Sequence, residues 1–124
     1  MNLNKRIIVE GHRGFRPLEN SYKGFEKSIE FKVNGIETDL WLMKDNNILI
    51  HHGKSNLGFL KLKSIKDDKI CKVFTKNLSN SELDNYVDYY TNQPLVKLQN
   101  FFDIVQKRPE MYLNLEIKDK GLEI

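Results

Sequence analysis

The sequence predicts an α/β fold with parallel strands, and three observations carry that prediction. Apolar, strand-like runs occur around Ile7–Val9, Ile36–Met43 and Met111–Lys118, and stretches with helical periodicity separate them. Glycine and asparagine clusters punctuate the boundaries, as in Asn34-Gly35 and Asp45-Asn46-Asn47. Histidine, arginine and carboxylates gather at the C-terminal ends of the runs, which is where α/β barrels keep their chemistry.

Residues 6–11 read as a short, mostly apolar strand of the kind buried on both faces. Gly11 and Gly14 bracket His12-Arg13, letting the backbone turn tightly beside a ligand. Pro17 keeps the next loop extended, and Asn20 or Ser21 caps a helix from about Tyr22 to Val33. Tyr22, Phe25 and Ile29 share one face of that helix, and Asn34-Gly35 stops it. Ile36 to Met43 alternates, with Glu37, Asp39, Trp41 and Met43 on one face.

A turn at Lys44–Asn47 returns the chain through Ile48-Leu49-Ile50 as a hairpin. With Asp45-Asn46 as the loop, Asp39 faces His52 and Leu40 faces His51. With Asn46-Asn47 as the loop, Trp41 faces His52 instead. Both registers bring the histidines back to the carboxylates. Residues 53–78 read as a long loop with a short strand around Lys72–Phe74. Ser79 and Glu82 form a capping box that opens a short helix through Leu83, Tyr86 and Val87. A second helix, about Leu95 to Lys107, stacks Leu98, Phe101, Phe102 and Val105 before Pro109 ends it. In the last strand Leu113, Leu115 and Ile117 face one way, and Asn114, Glu116 and Lys118 the other.

The chain has 124 residues, 40% hydrophobic and 30% charged, which suits one soluble domain with a core of its own. A net charge of +3 with interspersed signs does not point to nucleic acid and does not repel an anionic substrate. Cys71 is the only cysteine, so neither an intrachain disulfide nor a multi-cysteine zinc site is expected. The N-terminus lacks the apolar run of a signal peptide, and no stretch is long enough to span a membrane, so a cytoplasmic location is expected.

Glu37 and Asp39, two residues apart on one strand face, stand about 6.5–7 Å apart along the backbone and can converge on one hard cation. Such a pair by itself also marks an ordinary exposed strand face. Glu116 on another strand adds a third carboxylate, and three carboxylates with water suit Mg²⁺ or Ca²⁺. His12 and His52, from different strand ends, suit general acid and base on either side of a phosphate. Arg13 offers a planar fork to phosphate oxygens and Lys118 a point charge. His51 reads as a surface or hydrogen-bonded side chain pointing away from the site, and a zinc site through His51-His52 is disfavoured because adjacent strand residues face opposite ways.

The motifs G-H-R-G-x-x-P-x-E-N-S, G-I-E-T-D-L-W-L-M-K-D-N-N-I-L-I-H-H-G and L-N-L-E-I-K, in this order, closely resemble the glycerophosphodiester phosphodiesterase family. The resemblance is dense over residues 7–54, looser over 79–118, and nearly absent between 55 and 78. It implies that His12 and His52 are the acid/base pair, that Glu37, Asp39 and Glu116 bind Mg²⁺ or Ca²⁺, and that Arg13 and Lys118 contact phosphate. Glu19, in L-E-N-S, matches a position that supports the active site. The implied reaction releases sn-glycerol 3-phosphate and an alcohol from a glycerophosphodiester, through attack of the substrate's own glycerol hydroxyl on phosphorus. Two departures stand out. His52-Gly53 replaces a common His-Asp, and Leu18-Glu19-Asn20 replaces Pro-Glu-Asn, with the proline moved to Pro17.

The family fold is a (β/α)₈ TIM barrel of typically ~250 residues. Residues 1–124 therefore read as an incomplete domain, the N-terminal portion of a partial barrel with about three barrel strands plus a β-hairpin extension. Open sheet edges then favour self-association. An alternative reading is a non-catalytic remnant or half-barrel that binds a metal or phosphate ligand, or a partner chain. A phospholipase D-like toxin of the same barrel type is disfavoured by the absence of paired cysteines and of a secretion signal.

Overall fold

The strand that carries Glu37 and Asp39 becomes the centre of the main sheet because seven of its eight residues are buried. In this computed structural model, residues 7–53 and 58–119 are described. Arg6 of the expected first strand and residues 54–57 of the expected loop lie outside them. The strand in question is β2 (Gly35–Leu42), and β1 (Glu10–His12) precedes it. Two antiparallel strands, β3 (Ile48–Ile50) and β7 (Val96–Lys97), follow it in the sheet, together with β8 (Tyr112–Ile117).

β1 and β8 both run parallel to β2. β8 occupies one edge of β2 from Gly35 to Leu40. The other edge is shared by β1, opposite Gly35–Glu37, and β3, opposite Leu40–Leu42. A Cβ at Gly35 would overlap the Tyr112 ring, so a side chain there would push β8 away.

Two helices cover one face. α1 (Tyr22–Glu30) starts at Ser21, whose hydroxyl oxygen accepts from the Gly24 N–H at 3.0 Å. It is shorter than the sequence suggests, ending at Phe31, and Lys32 supplies the left-handed turn (φ 56°) before Asn34-Gly35 is reached. α2 is Leu98–Val105. Its first expected residues instead form β7, whose pairing with β3 stabilises Val96 in an extended, buried state. The rings of Phe25 and Phe101 meet edge to face at 4.7 Å and, with Ile36, Leu40, Ile50 and Val105, fill the core between helices and sheet.

The expected first strand is displaced. Ile7, Ile8 and Val9 are exposed, and pairing begins only at Glu10. Among the described residues nothing covers them, so apolar composition alone did not bury them. Their chain is held by Asn34, which exchanges bonds with the Val9 backbone.

Residues 58–88 hold more strand than expected: the short strand expected around Lys72–Phe74 is present, but the loop before it also carries a strand, and the end of the expected short helix is a third. β4 (Phe59–Ser64), β5 (Ile70–Phe74) and β6 (Tyr86–Asp88) form a separate antiparallel sheet in the order β5-β4-β6. Leu60 and Leu62 alternate with Lys61 and Lys63 and are fully buried, packing with Met43, Leu49, Leu78, Leu83 and Leu95. The capping box is present, with the Ser79 N–H and hydroxyl both donating to Glu82 Oε1. It opens a 3₁₀ turn over Asn80–Asn85, and Tyr86 and Val87 leave that turn for β6 because β4 offers them a pairing edge.

Candidate active site

The strand register assembles the site. β1 places His12 beside Glu37, and β8 places Glu116 beside Asp39. Laterally paired residues project to the same face, so His12, Glu37, Asp39 and Glu116 form one group across three parallel strands. Oxygens of Glu37, Asp39 and Glu116 all lie within 4.8 Å of one another. Glu37 and Asp39 are buried and Glu116 is exposed. His12 Nε2 stands 3.7 Å from Glu37 Oε2.

Around the carboxylates the loop after β1 wraps closely. Arg13 and Asn20 both hold left-handed backbone, at φ 53° and 52°, in a region non-glycine residues seldom occupy. Gly14, at φ 86°, packs so tightly on the Phe25 ring that a Cβ would clash. The Arg13 guanidinium donates to Glu19 at 2.8 Å, and its Nε lies 3.8 Å from Asp39. Glu19 therefore orients Arg13. Asn20 accepts from the Thr38 hydroxyl at 2.6 Å and donates to Asp39 Oδ2 at 3.4 Å. Lys118 reaches Glu116 at 3.1 Å and Asp39 at 3.9 Å.

Among the described residues, three buried side-chain polar atoms lack a hydrogen-bond partner: Arg13 Nε, Glu37 Oε1 and Asp39 Oδ1. All three belong to this site. Buried polar groups are ordinarily paired, so two orphaned acceptors and one orphaned donor fit an additional cation and an additional anion. The electrostatics agree. Burial, reinforced by Asp39 and Glu116, pushes Glu37 up to about 7. Burial likewise raises Asp39, against the hydrogen bond from Asn20. The bond from Lys118 keeps Glu116 low. His52 is held below the usual histidine range by burial and by Arg13, which favours its neutral, proton-accepting form.

The hairpin takes neither expected register. Leu40 pairs with Ile50 and Trp41 with Leu49, closed by a longer turn in which Asn46 adopts φ 66°. The Asp39 carbonyl thus accepts from the His51 N–H, so His51, not His52, stands across from it. β3 stops at Ile50, and strand alternation no longer governs the histidines beyond it. The Trp41 indole N–H donates to the His52 carbonyl at 3.3 Å. His52 thereby stays close enough to Asp39 for their charges to act on each other.

A cleft of about 440 Å³ opens beside Arg13, His52 and His51 and is closed on its far side by Lys61, Asp88 and Tyr90. That volume lies in the range of small-molecule sites. His12 is not part of it. The histidine borders a shallower hollow with Gly11, Phe15 and Arg16.

His51 does not point into solvent. Its Nδ1 accepts from the Gly53 N–H at 2.8 Å, which leaves the proton on Nε2, and Nε2 donates to Asp88 at 2.6 Å. Asp88 Oδ2 also accepts from Thr91. The pair ties the smaller sheet to the end of β3. Replacing Asp88 by Ala is expected to lower stability by about 1–3 kcal/mol, because the His51 N–H is left without its acceptor. Urea unfolding measures this, and an unchanged midpoint would remove the pair from the account.

Sequence reading overlooked Asn20 as a site residue, considering it only as a helix cap. Its place in the E-N-S motif was the available signal. Asp88, Lys61 and Tyr90 carry no such signal, since only folding brings them to the cleft.

Residues 10–121 match the glycerophosphoryl diester phosphodiesterase family. A mouse protein, glycerophosphodiester phosphodiesterase domain-containing protein 4, is 40% identical over 53 residues, which cover 41% of this chain and 8% of that protein. Among solved structures, a glycerophosphodiester phosphodiesterase from Thermotoga maritima is 27% identical, with a TM-score of 0.65 over 92% of this chain and 45% of its own. A putative glycerophosphodiester phosphodiesterase from Galdieria sulphuraria is also 27% identical, with a TM-score of 0.69 over 96% of this chain and 46% of its own. At 17% identity, a structure from Silicibacter pomeroyi shares the fold at a TM-score of 0.76, covering 95% and 47%. The chain thus spans about half the length of the solved structures it matches. With the family match running from β1 through β8 and including all three carboxylates, this chain belongs to the glycerophosphoryl diester phosphodiesterase family.

Proposed function

We propose that this chain carries the catalytic centre of a metal-dependent hydrolase that converts glycerophosphodiesters into sn-glycerol 3-phosphate and an alcohol. The observation that supports it best is the coincidence of three orphaned buried polar atoms, on Arg13, Glu37 and Asp39, at one strand-end site. Glu37, Asp39 and Glu116 would hold Mg²⁺ or Ca²⁺, both of which take carboxylate oxygens. Such a cation, when bound, supplies charge neutralisation and eases loss of a hydroxyl proton.

The chain's own residues do the rest. Arg13, oriented by Glu19, and Lys118 hold the phosphate oxygens and offset their charge. His12 meets the Glu37 end of the carboxylate group and His52 the Asp39 end. Together they remove the proton from the attacking glycerol hydroxyl and return one to the departing oxygen. The P–O bond to the alcohol breaks as the bond to the glycerol oxygen forms, giving a cyclic glycerol phosphate. A water molecule then adds to phosphorus and opens the ring to sn-glycerol 3-phosphate.

A relative from Oleispira antarctica, sharing this fold at 21% identity, was determined with the product sn-glycerol-3-phosphate. That protein's ligand accords with a small-molecule substrate for this chain. No helix among the described residues is long and apolar enough to cross a membrane.

We further infer that residues 1–124 are the N-terminal portion of a (β/α)₈ barrel, with β1, β2 and β8 as barrel strands. The sheet is open among the described residues and the matched structures are about twice as long, which supports this reading. Turnover then requires the remaining strands.

The test is release of sn-glycerol 3-phosphate from glycerophosphocholine and glycerophosphoglycerol, with and without chelator, by the chain and by a version extended with the remainder of a related barrel. In the active form, His52→Ala is expected to lower turnover by about 10²–10⁴-fold. Release that survives chelation, or a His52→Ala variant with undiminished turnover, would sink the proposal.

A further inference from the structure

The cleft has two walls of different origin. Arg13 and His52 come from the five-stranded sheet and its loops, while Lys61 and Asp88 come from the three-stranded sheet, followed by Tyr90. We propose that this second wall receives the departing alcohol, and that Lys61 selects alcohols bearing hydroxyls or negative charge against those bearing a quaternary ammonium. The inference rests on the phosphodiester reading above.

Charge accounting supports it. Asp88 faces the cleft but is already engaged. One of its oxygens accepts from the His51 Nε2–H, and the other accepts from the Tyr90 N–H, the Thr91 N–H and the Thr91 hydroxyl at 2.8–3.1 Å. Arg13 is matched by Glu19. Among the described residues, Lys61 has no carboxylate within ion-pair distance. Its ammonium sits 4.0 Å from the centroid of Tyr89 and 5.7 Å from that of Tyr90, and the two rings meet edge to face at 5.1 Å.

Paired tyrosine faces around a cation are how proteins recognise quaternary ammonium groups. Here the chain's own lysine holds that position. A choline group entering the cleft meets a like charge and finds the Tyr90 ring, which lines the cleft, already beside the Lys61 ammonium, which is discrimination by repulsion. A polyol, carboxylate or phosphate instead meets the donors of Lys61. The His51–Asp88 bond keeps this wall in place, since it joins β6 to the end of β3.

The experiment compares binding of glycerophosphoglycerol and glycerophosphocholine to the chain by calorimetry in the presence of Ca²⁺, with sn-glycerol 3-phosphate bound to the unmodified chain as the reference. The unmodified chain is expected to favour glycerophosphoglycerol by about tenfold, the scale of one desolvated cation–aromatic contact. Lys61→Ala is expected to bring the ratio to about one or below, chiefly through tighter binding of glycerophosphocholine. Lys61→Met, which keeps the side-chain stem over the rings, should do the same, and it separates charge from packing. If sn-glycerol 3-phosphate binds but the two diesters bind alike, or both Lys61 variants leave the ratio unchanged, the subsite assignment is overturned and the phosphodiester reading stands. If sn-glycerol 3-phosphate does not bind, that reading falls and this inference with it.

Discussion

Exchanging Asp39 for Asn, or Glu37 for Gln, is expected to abolish binding of Ca²⁺ and Mg²⁺. The two residues supply the buried oxygens of the only group of three acidic, histidine or cysteine side chains among the described residues placed to hold an ion. Each amide keeps one carbonyl oxygen but loses the negative charge that repays dehydration of a hard cation. The same carboxylate predicts a pH dependence. In the cation-free protein Glu37 titrates at about 7 instead of the ordinary 4.5, raised first by burial and then by Asp39. The folded chain therefore retains a proton that the unfolded chain has released. Its stability without cation should fall as pH rises from about 4.5 towards 7. Cation binding, which requires the ionised form, should strengthen over the same window by up to about tenfold per pH unit and level off above it. Glu37→Gln should flatten the stability slope. Calorimetric titration and urea unfolding across this range check both halves, and cation affinity that does not change with pH would contradict the assignment.

The second large effect concerns the sheet edges. β8 pairs with β2 on one side and, among the described residues, with nothing on the other. β1 likewise has β2 as its only strand partner, and Ile7–Val9 just before it are exposed. Tyr112 and Ile117 add exposed apolar surface along β8. Unpaired N–H and C=O groups beside apolar side chains are a template for another chain. Residues 1–124 alone are expected to sediment as dimers or larger species and to show weak or no turnover. Joining them to the downstream half of a related barrel is expected to yield a monomer whose turnover rises by about 10²-fold or more, because both edges close and the substrate is then positioned from every side. A cooperative, fully active monomer of the short chain would refute this expectation.

Much of the site could be read before folding, for identifiable reasons. Glu37 and Asp39 sit two apart on a strand, so period-two geometry alone puts them on one face. Ser21 caps α1 as its residue type predicts, and His12 marks the end of β1 because Gly11 and Gly14 allow the turn that follows. These are local facts, set by dihedral preferences and neighbouring residues. The hairpin register was not local. Asp45, Asn46 and Asn47 can each take a turn position, and packing of Leu49 and Ile50 into two cores selected the longer turn. β4 was hidden because its lysines mask an alternation that matters only once β5 and β6 lie beside it. His51 is the hydrogen-bonded side chain that was one of its two expected readings, but it borders the cleft instead of pointing away, and its partner was hidden for the same reason. Its partner Asp88 lies 37 residues away, and burial makes that contact worth more than a solvated imidazole. Sequence periodicity determined which strand faces carry Glu37, Asp39 and Glu116. The tertiary structure decided which buried oxygens of Glu37 and Asp39 are left unpartnered and which residues of the smaller sheet line the neighbouring cleft, because long-range pairing and desolvation exist only after the chain has folded.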